Sequence, residues 1–246
     1  MPCYVPLKTT NMKPILFLLF SALTFSSFGQ TIINDKNVEV RNVGSFSAIK
    51  VSGGIDVYLS QSDEDAVAVS ASDDKYRDNI KTEVRNGVLN IYFDNKSFRF
   101  NSGRSLRAYV SFKTLESIEG SGASDFIING AFNENSIKIK LSGACDMKGA
   151  VSFDNLQLDL SGASTMKISG HVQNFKLDAS GASDIKNYDL VADNLVAQLS
   201  GASDVKITVN KSISARASGA SSLDYKGSPE RRDVSSSGAS NISQRN

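Results

Sequence analysis

The chain holds one histidine and two cysteines in 246 residues, so the side chains that most often do chemistry can be taken singly. His171 falls in the stretch Ser169 to Asn174, read as a loop between repeats. Acid-base work there needs a positioned partner, and its neighbours in sequence offer no carboxylate. Cys145 is the only cysteine beyond the first thirty residues, so no intramolecular disulfide is available and other forces must hold the fold. It takes a place that serine holds in sister segments, which favours a small residue filling a corner over a reactive thiol. One histidine and one cysteine exclude a metal site of that type. Serines recur in Ser-Gly-Ala-Ser runs, but without the Gly-x-Ser-x-Gly context or a histidine partner they are not nucleophile elbows.

Carboxylates remain. Asp125, Asp146, Asp184 and Asp204 each follow such a run, and Lys148, Lys167, Lys186 and Lys206 come two residues after the acidic position. Calcium on this acidic row is the sharper reading, although the Gly-Gly-x-Gly-x-Asp-x-apolar-x repeat of calcium-binding β-helices is missing. The plainer reading is a solvated face. Thr165, Ser222 and Asn241 interrupt the acidic row, and the adjacent lysines offset its self-repulsion. No cofactor is implied.

What would position these residues is a repeat. Ser121, Ser142, Ser161, Ser180, Ser200, Ser218 and Ser237 are spaced 21, 19, 19, 20, 18 and 19 residues apart, a period that means a stacked array. Leucine-rich repeats of similar length need Leu-x-x-Leu-x-Leu and an asparagine ladder, and neither is read here. Apolar residues fall two apart on both sides of each run, as in Leu156, Leu158, Leu160 and then Met166, Ile168, which is strand periodicity. Two short strands and a turn per repeat predict an all-β fold: a parallel β-helix or β-solenoid with coils of about 19 residues. The Ser-Gly-Ala-Ser run is its corner. Gly122, Gly143, Gly162, Gly181, Gly201, Gly219 and Gly238 are the expected pivots, because glycine accepts a positive φ. Alanine is expected to keep the inside of the bend narrow, with serine hydroxyls bonding backbone groups freed by the turn. Phe153 and Phe175 are expected to pack between coils.

Residues 1–29 read as a signal peptide, with Met12 as an alternative start. Lys8 and Lys13 precede an apolar run, Ile15 to Phe25, too short to span a bilayer, and Ser27-Phe28-Gly29 suits cleavage before Gln30. With no second apolar segment and no lipobox, the mature chain is expected to lack a transmembrane segment. It would be exported to the periplasm, the outer-membrane surface or the medium. Losing Lys8 and Lys13 leaves 25 basic against 26 acidic residues, so no nucleic-acid partner is expected.

Residues 30–111 are expected to form an irregular β lead-in and cap, 112–226 the regular coils, and 227–246 a degenerate last coil and C-terminal cap. Residues 47–59 superimpose on 116–128, Ser52 on Ser121 and Asp56 on Asp125, so an early coil should begin there. Asn86-Gly87 between alternating residues signals a hairpin. Leu106, Ala108 and Val110 suggest a further strand, and 94–104 a polar loop. At the far end Pro229, Arg231 and Arg232 would protect an exposed sheet edge.

With Gly120-Ser121-Gly122 and Gly54-Ile55-Asp56 in view, the chain resembles the putative autotransporter adhesin head domain family, the GIN domain, over residues 44–226. That resemblance implies a pectin-lyase-like β-helix in the cell envelope, with an adhesive role and no chemistry of its own. Nothing after the array is expected to form a translocating barrel. The function expected is therefore an exported, non-catalytic adhesion or surface-recognition module with a glycan or protein ligand. One alternative is a polysaccharide lyase or hydrolase; the chain has no Trp, and Tyr188 and Tyr225 are the only tyrosines of the regular array to serve as sugar platforms. The other is a structural envelope component that self-assembles as a homo-oligomer.

Overall fold

The computed structural model describes residue 35, residues 37–94 and residues 105–246. The signal peptide expected over 1–29, Met12 with it, and most of the polar loop at 94–104 lie outside the described residues. Asp35 to Asn246 form one compact unit.

Alternation of apolar and polar residues makes strands nearly throughout. The lead-in holds β1 (Glu39–Arg41), β2 (Ala48–Ser52), β3 (Asp56–Gln61), β4 (Ala66–Ala71), a one-turn helix α1 (Asp74–Arg77), β5 (Ile80–Arg85), β6 (Val88–Phe93), β7 (Leu106–Phe112) and β8 (Ser117–Gly120). The array follows as β9 (Phe126–Leu141), β10 (Asp146–Leu160), β11 (Thr165–Ala179), β12 (Asp184–Leu199) and β13 (Asp204–Ala217). It closes with β14 (Ser222–Lys226), β15 (Arg231–Ser236) and β16 (Asn241–Gln244).

These strands wind a β-solenoid of about seven turns, roughly 19 residues apart. Each coil of the array was expected to hold two short strands; β9 to β13 instead run on as single bent strands. β10 keeps one register on β11 from Asp146↔Thr165 to Leu160↔Ala179. The other array pairs change register part-way, β9–β10 at Lys148/Ala150, β11–β12 at Met166/Gly170 and β12–β13 at Lys186/Val191 and Ala192/Asn194, where one coil carries extra residues that its neighbour does not match.

The lead-in stacks on the array through β9, whose two halves take different partners. Val57–Leu59 of β3 pair with Phe126–Ile128, while Ser117–Gly120 of β8 pair with Lys138–Leu141. β2 lies beneath β8, with Ile49 opposite Ile118. Residues 47–59 are thus an early coil seated directly under 116–128, and the Val57 N–H donates to the Asp125 carbonyl at 2.7 Å. The chain between them extends both walls: β4 and β1 lie antiparallel beyond β7, and the β5–β6 hairpin lies beyond β2. Asn86 and Gly87 turn that hairpin with φ of 51° and 76°, the pair of positive values a tight two-residue turn requires.

Apolar side chains fill the coil interior as one continuous core from Phe46 to Tyr225. Ile139, Leu158, Leu177, Ala197 and Ala215 form one inward column by register. Phe112, Phe132 and Phe153 pack edge to face at 4.9 and 5.1 Å, and Phe153 and Phe175 are buried between coils.

At the C-terminal end β15 and β16 continue the stack in parallel on β13 and β14, with Ile242, opposite Leu223, still packed on the core and the β15 residues exposed. Arg232 stands opposite Ile213, in the inward column, and donates to Gln244 Oε1 at 2.8 Å. A charge turned inward on an edge strand opposes further pairing. Among the described residues no helix is long and apolar enough to cross a membrane.

Candidate functional site

The corners set the frame that positions every outward side chain. All seven corner glycines have φ between 72° and 87°. They also sit one on another: the N–H of Ala144, Ala163 and Ala182 donates at 2.7 Å to the carbonyl of Gly122, Gly143 and Gly162 in the coil before. The alanines, expected on the inside of the bend, are exposed. The fourth residue of each run points inward instead. Ser164, Ser183, Ser203 and Ser221 are buried, and their hydroxyls donate at 3.0, 2.8, 3.0 and 2.8 Å to the carbonyl of the first serine of the same corner. A buried methyl there would leave that carbonyl without this donor, which is why serine and not alanine takes the slot. Cys145 occupies the same slot, with Sγ 3.2 Å from the Ser142 carbonyl, and burial pushes its thiol pKa up.

On the first wall Asp146, Thr165, Asp184, Asp204, Ser222 and Asn241 form one ladder by register. Asp125 lies at the same place on the preceding coil, and Asp56 extends the row onto the early coil. Burial, then the nearby Asp125, raises the Asp56 pKa. Lys148 stands opposite Lys167, and Lys186 opposite Lys206. Lys186 Nζ reaches Asp184 at 2.7 Å, and the Ser222 hydroxyl donates to Asp204 at 2.7 Å. Carboxylates strung along a ladder about 4.8 Å apart lie in a line, whereas a calcium site wraps its oxygens around a point. Among the described residues no group of three acidic, histidine or cysteine side chains could hold a metal ion.

His171 is not in a loop and is not without a carboxylate. It lies within β11, opposite Ser152 of β10, and its Nε2 is 3.3 Å from Asp193 Oδ1. Lys211 Nζ holds the other oxygen at 2.9 Å, and that bond first, with His171 among the lesser causes, keeps Asp193 below the usual carboxylate range. The histidine side chain is 51% exposed, so this is an ion cluster on open surface and not a base aimed into a cleft.

The asparagine ladder that the sequence was read as lacking is present at the second bend. Asn174 donates to Asn155 Oδ1 at 3.1 Å, Asn194 to Asn174 Oδ1 at 3.0 Å, and the Ser212 hydroxyl to Asn194 Oδ1 at 2.8 Å. Each of these residues stands just before the first apolar residue of a wall, at Leu156, Phe175, Leu195 and Ile213. That spacing was the available signal.

Between the asparagine ladder and the serine corners runs one wall with a groove along each margin. The corner-side groove, about 700 Å³, is lined by Lys140, Asp159, Asp178, Gln198 and Arg216 together with Ser161, Ser180, Ser200, Ser218 and Ser237. The ladder-side groove, about 500 Å³, is lined by Lys138, Gln157 and Lys176 with Asn155, Asn174 and Asn194. Lys140, Asp159, Asp178, Gln198 and Arg216 are register partners in turn, so the groove presents a cation at each end, two adjacent carboxylates and an amide between them, all at strand spacing. Its upstream continuation is Glu119, held below the usual carboxylate range chiefly by its bond to Lys50. Sequence reading passed these rows over because single outward polar residues look like any solvated face; only the coil register collects them.

The model of the family described as putative auto-transporter adhesin, head GIN domain, matches residues 45–229. In solved structures the chain is similar to a putative adhesin from Bacteroides fragilis, with 24% identity, TM-score 0.77, and 86% of this chain and 98% of that one covered. It is similar also to a putative lipid binding protein from Parabacteroides distasonis, with 21% identity, TM-score 0.63 and coverage of 85% and 97%. A putative adhesin from Parabacteroides merdae aligns with 16% identity, TM-score 0.64 and coverage of 85% and 96%. At these identities the likeness shows the fold alone. No curated protein matches the chain.

Proposed function

This chain belongs to the family of putative auto-transporter adhesin head GIN domains, and from that membership we propose an exported, non-catalytic recognition module that holds a glycan or protein ligand along one wall of its solenoid. The observation that carries the reading is the double-grooved wall. Side chains of Lys140, Asp159, Asp178, Gln198 and Arg216 stand in register over a packed apolar core, so their spacing is fixed before any ligand arrives, and little ordering cost falls on the protein. A ligand with polar groups repeated along its length would meet several coils at once, each contact weak and the set strong. The apolar run at Ile15 to Phe25 supports export.

The test uses the chain from Gln30 onward, immobilised and offered a panel of soluble glycans and whole bacterial and epithelial cells. Retention is expected on a subset, and it should fall by roughly tenfold when Asp178→Ala and Gln198→Ala are combined, the loss of two hydrogen bonds to ligand. Retention on no glycan and no cell would sink the proposal. Release of reducing or unsaturated sugar ends would replace it with polysaccharide cleavage.

A further inference from the structure

We propose that the outer face of β7, β3 and the start of β9 is a second, separate binding site, which takes a single pyranose ring against Tyr58. It rests on the recognition reading but uses none of the groove residues.

Tyr58 and Tyr109 are register partners on β3 and β7, and their rings stack with centroids 5.1 Å apart and planes 22° from parallel. Because the stack runs along the ladder, Tyr109 covers one face of Tyr58. On its other side the register partner of Tyr58 is Ile127 of β9, and that of Ile127 is Lys148 of β10. By register and side-chain length this row forms a step, with an aromatic ring, then a shorter aliphatic side chain, then a long cationic one. Polar rows border it along both strands. Arg107 and Asp56 are register partners two residues before the tyrosines, and Ser111 and Ser60 two residues after them.

A sugar ring has a C–H face and a rim of hydroxyls. The C–H face packs on an aromatic surface, and the rim needs acceptors and donors within reach at the edges. This step supplies both. The ring that backs Tyr58 is also held in advance, since the Tyr109 hydroxyl and Arg107 Nη1 each donate to Asp35 Oδ2 at 3.1 Å, which lowers the ordering that binding must supply. Asp56, half-buried beside Asp125, is a carboxylate that hydroxyl donors would favour.

The test is saturation-transfer NMR on the chain from Gln30 onward with the methyl glycosides of glucose, galactose, mannose and N-acetylglucosamine. The chain has no Trp and one histidine, His171, so irradiated aromatic signals come almost entirely from tyrosine and phenylalanine. Transfer to ring C–H protons of at least one sugar is expected, persisting in Tyr58→Phe and weakening by roughly three- to tenfold in affinity in Tyr58→Ala, the worth of one aromatic contact. Transfer to none of the four, or transfer unchanged in Tyr58→Ala, overturns the site. The groove variant Asp178→Ala separates the two readings: sugar binding that vanishes there and survives Tyr58→Ala belongs to the groove, which would leave recognition standing and remove this platform.

Discussion

Gly181 stands directly over Gly162: a Cβ on Gly181 would lie 2.5 Å from the Gly162 carbonyl oxygen, the same oxygen that accepts from Ala182 N–H at 2.7 Å. Two separate constraints therefore select glycine, the φ of 75° and the stacked corner beneath. At Gly122 only the first applies, since the nearest atom to a Cβ there is Gly53 N at 3.5 Å. Gly181→Ala should thus cost more than about 3 kcal/mol and Gly122→Ala about 1 to 2 kcal/mol. Urea unfolding of both variants checks the order, and equal losses would show that stacking adds nothing to the backbone strain.

Cys145 fills a slot built for serine, so Cys145→Ser should leave stability within about 1 kcal/mol of the parent near neutral pH. The two should part at high pH. Burial raises the thiol pKa in the folded chain, so its contribution is present below the ordinary thiol pKa of about 8.5 and declines as pH rises past it, when the unfolded chain ionises first. Comparing urea midpoints at about pH 7 and about pH 9.5 should show a steeper fall for the parent than for Cys145→Ser. Parallel slopes would mean that the buried thiol is not what titrates.

Arg232 takes by register the place that β9 to β13 give to Ile137, Leu156, Phe175, Leu195 and Ile213, and Val234 beside it is 43% exposed. Arg232→Val would complete an apolar row on an open strand edge, the arrangement that natural edges avoid. Light scattering over a concentration series should then show mass growing with concentration beyond that of the parent chain. A parent and variant that scatter alike would remove Arg232 as the guard of that edge.

How much of this was legible in the sequence depends on where each contact lies relative to the coil period. The Ser-Gly-Ala-Ser corners announce themselves because every copy meets the same demand for positive φ and close stacking. The apolar columns followed from alternation alone. Contacts one coil apart but offset along the strand were harder: His171 meets Asp193, 22 residues on, two places beyond its register partner Val191. The asparagine ladder was hidden because asparagine holds the place in only three coils, at Asn155, Asn174 and Asn194, with serine at either end at Ser136 and Ser212. Tyr58 and Tyr109 lie outside the period altogether, brought together only because the lead-in folds back before the array begins.

That fold-back has a consequence for the order of assembly. Each coil of the array finds its neighbour about nineteen residues away, so winding there closes short loops and should run fast once begun. The early coil at 47–59 leaves the ribosome first, yet its seat on 116–128 arrives some seventy residues later. Until then β2 and β3 have no parallel neighbour on that side. The oldest turn of the solenoid therefore waits longest for its seat, closing a loop of some seventy residues where each later coil closes one of about nineteen.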